Sequence, residues 1–355
     1  MNHKNNKINE INEINEIKER IYGGLYGQII GDAFGARYEF MDKLKVKKQL
    51  KSDTKNNFID ILGEGHFNVQ PGQVTDDTEL AFAIITSIID KNCIDIKDIA
   101  KRFIYWYNSK PIDIGNTTRL AFENAKNYHD IYKNALEYNM DSLSNGCLMK
   151  ISPIGIYGIC LSDDKMLNYV TEIIKLTNPN KMCIEAGHIY CLAIKYSILY
   201  RDLKKIYSVL SNYIKNNNPH SIFKKILENV INKNNNYIDM NMNIIVADGR
   251  YQGLLTVALH VALFELFWGN DFYETMINII KIGGDTDTNG CIGGAIVGSY
   301  RGYKNIPVRW MNVVNKSSKA NDRVKKYEYT YDVNSTLNDF VALVINRCID
   351  NNIFD

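Results

Sequence analysis

Two acidic clusters carry the residues of this chain best suited to chemistry. Thr75, Asp76, Asp77 and Thr78 lie towards its start, and Gly283, Gly284, Asp285, Thr286, Asp287 and Thr288 towards its end; an apolar helical run follows each. Carboxylates and hydroxyls are hard oxygen donors, and neither cluster holds the histidine or cysteine that favours zinc or copper. Together they look like one site for Mg²⁺, Mn²⁺ or Ca²⁺. Neighbouring aspartates repel one another unless a positive charge sits between them. Each cluster also has a plain structural reading. Thr75 followed by Asp76, Asp77 and Glu79, then by Leu80, Phe82, Ile84, Ile85, Ile88 and Ile89, is an ordinary helix start, with acids at the positive end of the helix dipole. The second cluster goes further, because Gly283 and Gly284 allow a tight turn that aims Asp285 and Asp287 into one pocket.

The elements that must position these clusters are helical. Apolar residues recur at three- and four-residue spacing near 21–34, 78–90, 97–108, 117–127, 183–200, 221–232, 253–267, 272–281 and 289–300, and no regular series of alternating strands appears. The pattern predicts an all-α fold, one compact bundle with its sites on the loops that start the helices. Residues 8 to 19 read as Ile-Asn-Glu three times and then Ile-Lys-Glu. This low-complexity stretch sets residues 1–17 apart as an N-terminal arm, loosely docked over 1 to 10. The Asn- and Lys-rich stretches Lys47 to Asn57 and Lys233 to Asn243 read as surface loops. From residue 311 to 355 the chain reads as a packed extension, with a solvated basic run from Lys316 to Lys326, an aromatic patch from Tyr327 to Tyr331 and an amphipathic stretch from Phe340 to Ile349.

Composition excludes some functions. Among 355 residues, 42 Lys and Arg face 40 Asp and Glu, so the net charge of +2 gives no electrostatic case for nucleic acid as the main partner. The seven cysteines are an odd number, scattered without a CxxC pair, and imply buried thiols in a reducing, cytoplasmic setting. The apolar run from Ala258 to Trp268 is interrupted by His260 and Glu265 and is too short for a membrane span. His188 and His260 read as core histidines.

Four more motifs accompany the acidic clusters: Gly31-Asp32-Ala33-Phe34-Gly35 followed by Glu39-Phe40; Asp113-Ile114-Gly115-Asn116-Thr117-Thr118-Arg119; Ser144-Asn145-Gly146-Cys147-Leu148-Met149-Lys150; and Gly302 to Trp310, containing Ile306-Pro307. Together the six, in this order over roughly residues 21 to 310, resemble the ADP-ribosylglycohydrolase family, and the second motif resembles its dinitrogenase reductase-activating glycohydrolase branch. The resemblance implies a single orthogonal helical bundle over 18–310 with two Mg²⁺ or Mn²⁺ ions in a cleft that binds ADP-ribose. It implies metal ligands at Thr75, Asp76, Asp77, Asp285, Asp287 and Thr288, catalytic roles for Glu39 and Asp113, and substrate contacts at Gly115, Asn116, Ser144, Asn145 and Gly146. The Asn145 and Gly146 amides would meet a pyrophosphate. The implied activity is hydrolysis of an ADP-ribosylated protein side chain, arginine by the branch resemblance; the alternatives are a non-catalytic ADP-ribose-binding relative and a hydrolase of another ADP-ribosyl linkage, to serine or in O-acetyl-ADP-ribose. Two positions depart from the pattern: Lys150 stands where the family has Arg, and Asn178 where it has His.

Overall fold

Short polar side chains set the helix starts of this chain. The computed structural model describes residues 2–318, 332–351 and 353. Its helices are α1 (Asn2–Gly35), α2 (Lys43–Asp53), α3 (Asp76–Lys91), α4 (Ile96–Asn108), α5 (Asn116–Phe122), α6 (Tyr128–Tyr138), α7 (Ser152–Tyr157), α8 (Asp163–Lys175), α9 (Lys181–Tyr200), α10 (Leu203–Asn217), α11 (Ser221–Ile231), α12 (Leu255–Trp268), α13 (Phe272–Ile280), α14 (Thr286–Arg301), α15 (Val308–Ser318) and α16 (Val333–Asp350). Asp42, Asp95, Asn127, Asn180 and Asp202 each accept a backbone N–H from the first turn of the helix that follows. Two short strands, β1 (Tyr237–Ile238) and β2 (Ile244–Ile245), pair antiparallel.

The all-α architecture expected from the periodicity is the one observed, with two local differences. Of residues 47–57 only 54–57 form a loop: α2 runs to Asp53, because Val46 and Leu50 bury one face four residues apart while the lysines stay in water. The helix expected over 117–127 stops at Phe122, and the next helix, α6, begins only at Tyr128. Residues 2–17 form the first turns of α1, where Ile17 is buried, Ile14 partly so and Ile11 exposed. Beyond 310, α16 buries Val333, Leu337, Phe340, Val341, Val344, Ile345 and Cys348 and packs on α1 and α3. The aromatic patch and most of the basic run lie outside the described residues.

At the centre α1 and α14 cross with their main chains in contact. Gly23, Gly27 and Gly31 face Gly298, Gly294 and Gly290; a Cβ placed on any of these three would lie 2.0–2.2 Å from the opposing glycine's carbonyl oxygen. Only glycine permits such an approach, and the dispersion gained along the seam stabilises it. Around this pair stand α3, α7, α9, α12 and α13. Helix α9 has the length and mean hydropathy (1.2) of a membrane span, but 72% of that window is buried inside the protein, the position of a core helix.

The two core histidines are neutral. Burial pushes His188 down to about 4 and His260 to about 4, with a carbonyl acceptor opposing each. For His188 Nε2 bonds the Leu167 carbonyl (3.1 Å), so Nε2 carries the proton and Nδ1 accepts from the Tyr213 hydroxyl (2.9 Å). A depressed folded pKa means the unfolded chain binds the proton first as pH falls. Stability is therefore full above about pH 6.5 and lost as pH drops towards 4, by about 3 kcal/mol per histidine. Urea titrations at pH 7 and pH 4.5 should show this loss, reduced in His188→Gln; an equal pH dependence in the variant refutes the assignment.

Candidate metal centre

The end of α1 and the turn after it supply two acids that start two other helices. Asp32, fully buried, accepts the Thr75 N–H (3.0 Å) and the Thr78 N–H (3.0 Å), so it caps α3 from across the molecule. Glu39 follows the 3-10 turn Ala36–Tyr38, and its Oε2 accepts the N–H groups of Thr286 (2.6 Å) and Asp287 (3.2 Å), capping α14. In both helices the cap site Thr75 or Asp285 makes no side-chain cap bond of its own, leaving those groups for other work. Both acidic clusters are thereby fixed to α1 at their first turns.

They meet in one cleft of about 390 Å³ whose lining includes Glu39, Asp76, Asp113, Asp285, Asp287 and Thr288. Glu39, Asp285 and Asp287 can each bring a carboxylate oxygen within 4.8 Å of the others. Asp76, implied as a ligand, faces the same cleft and accepts the Gly115 N–H (3.3 Å). Thr75 and Asp77 sit behind it, almost fully buried; the Thr75 hydroxyl lies 2.9 Å from Asp32 and 3.0 Å from Asp77. Among the described residues Asp77 Oδ1 and Asp287 Oδ2 are buried with no hydrogen-bond partner.

The electrostatics of this crowding are unfavourable in the bare protein. Burial pushes Asp76 well up, with Asp113 and Asp285 adding to it; burial does the same to Asp77, helped by Asp76 and Asp32, and to Asp287, helped by Glu39 and Asp77. Asp113 is pushed up to about 6, mainly by burial, against the Ile114 amide. Orphaned carboxylate oxygens, all-oxygen donors and mutual repulsion are what a hard divalent cation relieves, so the residues present fit such an ion.

The substrate-side residues also line the cleft: Gly115, Asn116, Ser144, Asn145 and Gly146, joined by Thr117, Thr118, Met149, Gln252 and Gly253. One expectation fails here. The Asn145 amide is not free for an anion, since it is donated to the Gly253 carbonyl (2.9 Å), and Asn145 Nδ2 donates to Asp285 Oδ2 (2.9 Å). Asn145 therefore holds Asp285 in place, leaving Gly146 to offer an amide. Sequence reasoning assigned no role to Asp32, although it lies inside a quoted motif, because its partners are more than forty residues away. Gln252 gave no signal at all.

A family profile described as ADP-ribosylglycohydrolase matches residues 13–339. The chain belongs to the ADP-ribosylglycohydrolase family. It is a hydrolase of ADP-ribosyl linkages. The ADP-ribosyl-[dinitrogen reductase] glycohydrolase of Rhodospirillum rubrum is 24% identical over 298 residues, which cover 83% of this chain and 90% of that protein. The ADP-ribosylarginine hydrolase Tri1 of Serratia proteamaculans is 25% identical over 327 residues, 88% of this chain and 79% of that one. A solved structure titled ADP-ribosylglycohydrolase-related protein complex shares the fold, with a TM-score of 0.67 at 22% identity over 93% of this chain and 98% of its own. The two departures from the ADP-ribosylglycohydrolase pattern lie beneath the cleft. Lys150 is fully buried and donates to the Gly146 carbonyl (2.5 Å), and burial pushes it down to about 8. Asn178 is buried and donates to Ser144 Oγ (3.2 Å). Both support the turn at 144–146 from behind.

Proposed function

We propose that the protein releases ADP-ribose from a modified protein side chain, arginine first, at this cleft. The observation that carries the reading is the convergence of Glu39, Asp76, Asp113, Asp285 and Asp287 on one hollow with orphaned carboxylate oxygens behind it. Asp76, Asp77, Asp285 and Asp287, with the hydroxyls of Thr75 and Thr288, would hold two Mg²⁺ or Mn²⁺ ions, which supply Lewis acidity and lower the pKa of a bound water.

The chain's own groups do the rest. Cleavage at the anomeric carbon passes through an oxocarbenium-like state and needs a fixed sugar, a proton for the leaving nitrogen and a water. Water's hydroxide ends on the anomeric carbon and its proton on the departing guanidine, so one carboxyl must relay that proton. In this reading Glu39 takes that role: Oε2 is held by two amides, which fixes the group, and Oε1 carries none of those bonds. Asp113, which also lines the cleft, supports the cationic side of the reaction. Gly146 and Ser144 hold the phosphates. In this reading the protein works in the cytoplasm on ADP-ribosylated proteins.

The test is release of ADP-ribose from an ADP-ribosylated arginine protein, run beside calorimetry with free ADP-ribose. Release that requires Mg²⁺ or Mn²⁺ and falls at least about a hundredfold in Glu39→Gln is the expected result. Binding without release from arginine-, serine- or O-acetyl-linked ADP-ribose refutes it.

A further inference from the structure

The rim of the cleft beside Glu39 is aromatic and strained. Phe40 lines the cleft, keeps 47% of its surface exposed and takes a φ of 60°. A bulky residue rarely adopts that conformation, which strains the backbone. The loop that presents Asp285 imposes it: the Phe40 N–H donates to the Gly284 carbonyl (2.9 Å), and the Gly284 N–H donates to the Met41 carbonyl (2.8 Å). A turn closed by reciprocal bonds between Glu64 and Val69 then brings two more rings. His66 and Phe67 lie edge-to-face with Phe40 at 4.9 and 6.0 Å, and 4.9 Å from each other. Gly65 seats this turn on Ala36, whose carbonyl oxygen is 2.5 Å from where a Cβ would be. Burial does not explain the cluster, since Phe40 and His66 are exposed.

We infer that Phe40, backed by His66 and Phe67, forms the subsite for the leaving side chain and selects a planar guanidinium over a serine hydroxyl. This deepens the functional reading above and rests on it. In that reading the acidic end of the cleft holds the ribose whose anomeric bond is cut. The leaving side chain starts one bond from that ribose, whereas the adenine starts beyond a pyrophosphate and a second ribose. Phe40, tied to Gly284 next to Asp285, stands at the acidic end, within reach of the leaving group. A guanidinium is planar and weakly hydrated, and it stacks on aromatic faces. Charge agrees: besides the carboxylates given to the cations, Glu39 and Asp113 line the cleft, and among the described residues lining it none is lysine or arginine. A hydroxyl leaving group gains nothing from an aromatic face.

Phe40→Gly and Phe40→Leu test this. Glycine accepts a φ of 60° without strain, so the first variant folds; leucine keeps bulk but loses the ring's charge distribution. The measurements are kcat and KM on arginine-linked and serine-linked substrates and the Kd for free ADP-ribose. The expected result is a loss in kcat/KM of about 5- to 30-fold on the arginine substrate, carried mostly by KM, with a smaller loss on serine and a Kd within about twofold of wild type. A Kd weakened by the same factor as KM places the ring on ADP-ribose itself and overturns the inference. Unchanged arginine kinetics, or a wild-type preference for serine, also overturns it. A wild-type protein that cleaves neither linkage overturns the functional reading and this inference with it, and that result is visible before any variant is made.

Discussion

Gly31→Ala is expected to leave the protein largely unfolded or insoluble at 37 °C. The added Cβ would stand 2.0 Å from the Gly290 carbonyl oxygen, 2.3 Å from its carbon and 2.8 Å from the Cys291 nitrogen. All three are main-chain atoms of α14, so relief requires the two central helices to separate, and each is locked to further helices. Ordinary overpacking costs about 1–3 kcal/mol because side chains can rotate away. Here none can, and the expected cost exceeds about 4 kcal/mol, a large part of the 5–15 kcal/mol that holds a typical domain. Gly24→Ala, on the same helix, is the comparison: its Cβ meets the Ser299 hydroxyl at 2.2 Å, a side chain that can turn, with the nearest main-chain atom at 3.4 Å. Alanine's better helix propensity then offsets part of the clash. Urea unfolding of both variants decides the matter. If Gly31→Ala matches wild type, main-chain contact between α1 and α14 is not what spaces the site.

That seam also explains which parts of the site were legible in the sequence. Asp285 and Asp287 behind Gly283 and Gly284 are a local pattern: residue type and a turn within six positions announce both a helix start and a donor set. Asp76 and Asp77 announce a helix start alone, and only the second cluster makes them read as donors. The capping of α3 by Asp32 and of α14 by Glu39 is not local, since the donors lie 43 and 247 residues away. An acid that closes a distant helix reads in sequence as one more solvated carboxylate. Asn145 misled for a related reason: Asn-Gly looks like an open turn, and nothing nearby shows that Gly253 takes its amide or that Asp285 takes its side chain. Among the helices, α2 and α6 were hidden by composition. Lysine is a good helix former, and Asn127 caps α6, but in a chain so rich in both residues their abundance masked the apolar spacing beneath. The strain at Phe40 has no sequence signal, because it is imposed by Gly284.

Removing one acid should separate the cost of the site from its use. Asp285→Ala is expected to abolish metal binding and to lower turnover by on the order of 10³ or more, since it deletes a carboxylate at the mouth of the donor cluster. The same substitution is expected to raise the thermal stability of the metal-free protein. Asp76, Asp77 and Asp287 are each pushed up by burial and by acidic neighbours, Asp285 among them in every case, so deleting that charge relieves the others. At pH 8 the relief is largest, because the crowded carboxyls are then closest to full ionisation. With cation present the order reverses: wild type gains about 2.7 kcal/mol at a hundredfold excess over Kd, and the variant gains nothing. Asn145→Ala should fall between, weakening metal affinity about 10- to 100-fold, because it frees Asp285 without removing it. Thermal melts of the three proteins in chelator and in Mn²⁺ read all of this without any substrate. Two outcomes contradict the metal centre: a wild-type melting temperature that ignores Mn²⁺, or an Asp285→Ala protein that still responds to it.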